Sequence, residues 1–124
     1  MKRVWAVAAL ALLMSACGDE PSGPADLNGT VTPGEVPLGA LVVELSGKDI
    51  GRVEGVGETR AVADDRTADS KRAILVSATG EPMRFTVYVE DQSLGAPTVA
   101  IIGAIGLENQ PITNLSGIRV GIER

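Results

Sequence analysis

The chain is 124 residues long, with 16 acidic against 11 basic side chains for a net charge of −5, no histidine, one cysteine, and one each of Trp, Tyr and Phe. Without histidine, Ser-His-Asp and Cys-His catalysis and His-ligated zinc are excluded. An acidic chain has no electrostatic footprint for nucleic acid, and so few aromatic rings cannot build a sugar- or base-stacking platform.

The chain opens on Lys2 and Arg3, followed by an unbroken apolar run from Val4 to Met14 and small residues leading into Cys17. Basic start, short apolar stretch and small-residue cut site are the three parts of a secretory leader, expected here as a signal helix over residues 1–16. The run is too short for a permanent span, which needs about 20 apolar residues. Cys17 is the only cysteine, so it has no partner for an intramolecular disulfide.

Met14-Ser15-Ala16-Cys17 resembles the lipobox of bacterial lipoproteins, with Met14 where that family prefers Leu. The resemblance covers residues 1–18. It implies that Cys17 is the lipid attachment site, carrying a thioether-linked diacylglycerol, and that the chain is cut before it. An ordinary cleaved leader is the alternative. Each buried methylene contributes about 0.8 kcal/mol and one acyl chain anchors only marginally, so two or three chains would hold the protein to a membrane. Gly18, rather than Asp, follows the cysteine, and by the same resemblance this leans toward the outer membrane, with the protein facing the periplasm or exterior. Loss of Lys2 and Arg3 leaves the mature chain still more acidic and repelled by anionic headgroups. The anchor, not the protein surface, would then make the membrane attachment.

Gly18 to Asp26 is polar and rich in Pro and Gly, so residues 17–26 are expected to form a flexible tether. From Leu27 the pattern becomes strand, turn, strand. Leu27 to Thr32 is a first strand, closed by Pro33-Gly34. Ala40 to Leu45 alternates, with Leu41, Val43 and Leu45 on one face. Ile50 to Val56 is interrupted by glycines and reads as an edge or bulged strand, and Thr59 to Ala63 is expected to pair back on it. Asp64 to Ser70 reads as a polar loop, and Arg72 to Ala78 as a strand.

Met83 to Asp91 is the clearest strand, with Met83, Phe85, Val87 and Val89 on one face and Arg84, Thr86, Tyr88 and Glu90 on the other. For Thr98 to Leu107 a helix is the rival reading, but β-branched residues and two glycines favour a buried, bent strand, with Val99, Ile101, Ile105 and Leu107 on one face. After a turn over residues 108–111, Ile118, Val120 and Ile122 form the last inward face. Short strands at this spacing predict an all-β domain over 27–124, a small antiparallel immunoglobulin-like β-sandwich or barrel. The segments GALVVELSG and RFTVYVED also resemble strands of cohesin-type and other extracytoplasmic sandwiches, a likeness that implies architecture and no functional residue.

Few constellations carry chemistry. Asp64, Asp65 and Asp69, with Glu58 nearby, are the calcium candidates, since hard cations take several oxygen ligands from a loop; the spacing fits no EF-hand, and a solvated loop is the plainer reading. Glu90 and Asp91 are adjacent in a strand, so they point to opposite faces and cannot share acid–base work. Gly103 and Gly106 match no phosphate loop. No catalytic residue, cofactor or small-molecule substrate is indicated. The expected function is that of a membrane-anchored binding or structural module of the cell envelope, with a protein partner and Tyr88 as the candidate contact. A ligand-binding or enzyme-accessory component, stabilised by calcium, is the alternative.

Overall fold

A computed structural model describes residues 22–124, so the expected leader, the lipobox-like stretch and Cys17 lie outside the described residues. Eight strands follow one another with a single 3-10 turn, Gln92–Leu94: β1 (Ala25–Thr32), β2 (Leu38–Ser46), β3 (Ile50–Val56), β4 (Thr59–Thr67), β5 (Ser70–Ser77), β6 (Arg84–Val89), β7 (Thr98–Gly106) and β8 (Arg119–Glu123). They form two four-stranded antiparallel sheets, β3-β6-β1-β8 and β4-β5-β2-β7. The protein is thus an all-β sandwich, as the alternation predicts.

The period-two pattern fills the space between the sheets. From the second sheet, Leu41, Val43, Leu45, Ala73 and Leu75 are fully buried. They meet Leu27, Val31, Phe85, Val87 and Val89 of the first sheet, with Ile118 closing one end. Each of these side chains larger than alanine contributes about 1.5–3 kcal/mol on leaving water. Polar contacts also lace the two sheets on the β3–β4 side. The Lys71 ammonium donates to the Gly51 carbonyl at 2.6 Å, and the Arg84 amide donates to the Thr59 hydroxyl at 3.1 Å.

Four expectations are corrected. The expected tether does not extend to Asp26. Ala25 and Asp26 already pair with Val89 and Tyr88, and Gly23 exchanges bonds with the Gln92 amide and the Asp91 carboxylate. β4 does not pair back on β3; it pairs with β5 in the other sheet. Residues 64–70 are not a loop, because β4 runs on to Thr67 and the turn is only Ala68-Asp69. Asp64 and Asp65 stand opposite Arg72 and Lys71, and opposite charges across a ladder compensate for the missing apolar pattern.

The last correction concerns β7. Val42 pairs with Gly103 but Val43 with Ile101, so Ile102 is a bulge. An extra residue reverses the inside–outside alternation beyond it. Ala104 and Gly106 therefore face the core, while Ile105 and Leu107 are turned to solvent.

Candidate interaction surface

The two outer faces of the sandwich differ in chemistry. On the second sheet, strand registers set outward residues in rows that cross all four strands. One row runs Val62, Ile74, Val42, Gly103; the next runs Arg60, Val76, Ala40, Ile105. Val62 is 70% exposed and Ile74 and Ile105 are each 43% exposed, and the bulged Ile102 extends the patch. A contiguous apolar face of this kind marks an interaction surface more often than isolated exposed residues do. β-branched residues make it flat and stiff, which suits docking without ordering cost.

A charged row, Asp64, Arg72, Glu44, Ala100, borders the patch toward the end where β1 begins. Arg72 reaches Glu44 at 3.7 Å, and its Nε is buried with no hydrogen-bond partner among the described residues. The rim therefore holds one donor that its own neighbours leave unsatisfied.

The outer face of the first sheet is polar. Tyr88 lies there, half-buried, with the Arg52 guanidinium 4.8 Å above its ring centre. Arg52 also holds Glu54 at 2.9 Å and Asp26 at 3.5 Å. The ring face of the predicted contact residue is thus covered by a cation–π pair, and the apolar patch lies on the opposite side of the protein. Sequence reading missed that patch because it sought aromatic contacts. The signal was present in the outward set Val42, Val62, Ile74 and Val76, four β-branched residues at positions where polar ones are the rule.

The remaining candidates are scattered. Asp64 sits on the rim, Asp65 binds Lys71 at 3.3 Å, and Asp69 forms the turn, its amide donating to Thr67. Among the described residues no three carboxylates gather as a metal site. Asp65 and Lys71 do line an open hollow of about 310 Å³ with Asp49 and Glu90. Asp91 instead caps the 3-10 turn, accepting from the Ser93 hydroxyl at 2.7 Å and the Ser93 amide at 3.0 Å. Those bonds, the side-chain one first, hold its carboxyl below the ordinary aspartate value. Among the described residues no helix is long and apolar enough to cross a membrane. No family model, curated protein or solved structure matches this chain.

Proposed function

We propose that this protein is a lipid-anchored module of a bacterial cell envelope, held through Cys17, whose domain binds a protein partner on the outer face of the β4-β5-β2-β7 sheet. The apolar rows around Val62, Ile74 and Val42 carry the reading, since a domain with no partner gains nothing from a stiff hydrophobic face in water. The leader and lipobox sequence support the anchor. Tethering complements such a surface, because confining the domain to a membrane raises its local concentration near other envelope proteins.

A photo-crosslinking residue placed at Ile74 of the full chain in cells tests the binding reading. Discrete adducts with an envelope protein are expected from Ile74 and not from Thr86 on the polar face. Equal labelling from both positions, or none from Ile74, would overturn it.

A further inference from the structure

β4 closes one side of the second sheet: β5 pairs one of its edges, and among the described residues no strand pairs the other. A nine-residue edge presents a row of backbone donors and acceptors that another strand can take up. Such edges are usually blunted by prolines, charged side chains or bulges. β4 carries no proline, and its bulge falls between Asp65 and Thr67, which leaves Thr59–Asp65 regular. Around Val62, Ala61 and Ala63 lie one residue to either side, and Arg60 and Asp64 two.

In an antiparallel pair, residues equidistant from the centre stand opposite each other. Two copies of β4 centred on Val62 would therefore set valine against valine and alanine against alanine. Arg60 of each copy would face Asp64 of the other. Opposite charges directly across a ladder stabilise it, and like charges oppose it. An in-register parallel pairing would instead set Arg60 against Arg60. The strand's charge order thus selects one direction and one register.

β3, one edge of the first sheet, does not repeat the arrangement: Arg52 and Glu54 are the immediate neighbours of the buried Val53 and pair with each other at 2.9 Å, so the match rests on β4 alone. The other edge of the second sheet offers no such match. β7 has no charge between Thr98 and Gly106, is bulged at Ile102, and is crossed by Gln110–Ile112 over its C-terminal half.

We propose that the protein pairs with a second copy of itself, β4 against β4 and antiparallel about Val62, joining two four-stranded sheets into one of eight strands. The contact is isologous, as a two-fold dimer requires. It stands apart from the partner reading, although it would lay two apolar faces side by side.

Disulfide trapping in the full chain tests the geometry. Val62→Cys should give a cross-linked dimer on mild oxidation, because directly opposed residues hold their Cβ atoms about 4.5–5.5 Å apart. Ile74→Cys, on the same face but one strand inward, should not, and the unsubstituted chain reports any link made by Cys17. Charge exchange tests the register. Arg60→Asp and Asp64→Arg should each weaken self-association at least about tenfold in sedimentation measurements. Mixing the two chains should restore it, since each then meets its opposite. Should Asp64→Arg fail to fold beside Arg72, adding Arg60→Asp to Val62→Cys should still abolish the cross-link. A cross-link through Ile74 instead of Val62, none at either, or no recovery on mixing would overturn the proposal.

Discussion

Gly29 stands directly opposite Phe85 in the β1–β6 ladder, and the ring of the chain's single phenylalanine occupies the space where a side chain at Gly29 would be. A Cβ at Gly29 would fall 2.6 Å from the Phe85 Cε1, well inside contact distance. Phe85 is 1% exposed, so the ring has no solvent-side escape. Gly29→Ala should therefore cost about 1–3 kcal/mol by overpacking. Phe85→Ala should cost about 3–5 kcal/mol by leaving a cavity. The two should be strongly non-additive, because the alanine at 29 no longer clashes once the ring is gone. Thermal or denaturant melts of the two single variants and the double variant measure this coupling, and simple additivity would refute it.

Lys71 should matter more than its acidic neighbours. Its ammonium is largely buried and reaches across the sandwich to the Gly51 carbonyl at 2.6 Å, whereas its ion-pair partner Asp65 is 80% exposed. Lys71→Met should lose roughly 1–2 kcal/mol, the worth of a charge-assisted bond partly offset by the apolar replacement. Asp64→Ala, Asp65→Ala and Asp69→Ala should each stay within about 0.5 kcal/mol. Melts with and without calcium would check both halves. A calcium-dependent midpoint lost with these aspartates would restore the end of the β4–β5 hairpin as a metal site.

Strand existence and facing were legible wherever local chemistry decides them. Leu41, Val43 and Leu45, or Phe85, Val87 and Val89, alternate with polar or solvent-facing residues, and all six are buried. Pairing was not legible, because only β4–β5 joins sequence neighbours; β1, for example, lies between β6 and β8. A ladder formed by segments some sixty residues apart, such as Ala25 with Val89, leaves no mark within a short window. The charged half of β4 was misread for a related reason. Its support comes from Arg72 and Lys71 across the hairpin, which composition alone does not reveal. The β7 bulge is subtler still, since one unpaired Ile102 reverses every facing after it. That register adds Ile102 and Ile105 to an apolar outer face that Val42, Val62, Ile74 and Val76 already mark by their alternation.

Asp91 gives the domain an acid-sensitive corner. Its carboxyl is held below the ordinary value of 3.8 by the Ser93 hydroxyl and amide, with the Gly23 amide adding to them. A carboxyl whose folded pKa is depressed contributes stability that is present above its unfolded pKa and lost as pH falls through the folded one. Wild type should therefore be more stable than Asp91→Ala at neutral pH, and the gap should narrow on acidification below about pH 4. Ser93→Ala should reduce the same pH dependence. Melts across pH 2–7 read this directly, and a gap that widens in acid would contradict it.

Because Gly23 and Ser22 bind the Asp91–Gln92 corner, shortening the chain should have a sharp threshold. The segment beginning at Ser22 should melt as the domain does. One beginning at Leu27 loses the Ala25–Val89 and Asp26–Tyr88 pairings along with the Ser22 and Gly23 hydrogen bonds, and should melt several degrees lower. For a domain of this size about 1 kcal/mol corresponds to roughly 4–8 °C. Equal melting points for the two segments would show that the N-terminal strand begins where the hydrophobic pattern does, at Leu27.

The last prediction separates the apolar face from the core using adjacent residues of one strand. Leu75 and Ile74 are neighbours in β5, with Leu75 fully buried and Ile74 43% exposed. Leu75→Ala should cost about 2–5 kcal/mol, since it removes packing from both sheets. Ile74→Thr keeps a β-branched side chain on a solvent-facing position and should cost no more than about 1 kcal/mol. Val62→Thr, at the still more exposed edge, should cost less. The two conservative changes should nevertheless weaken retention of the segment from Ser22 onward on a hydrophobic-interaction column, while Thr86→Ser on the polar face should not. If the face served folding alone, Ile74→Thr would instead destabilise the domain about as much as Leu75→Ala and leave retention by the folded fraction unchanged. Melting curves and retention volumes on the same samples decide between these outcomes.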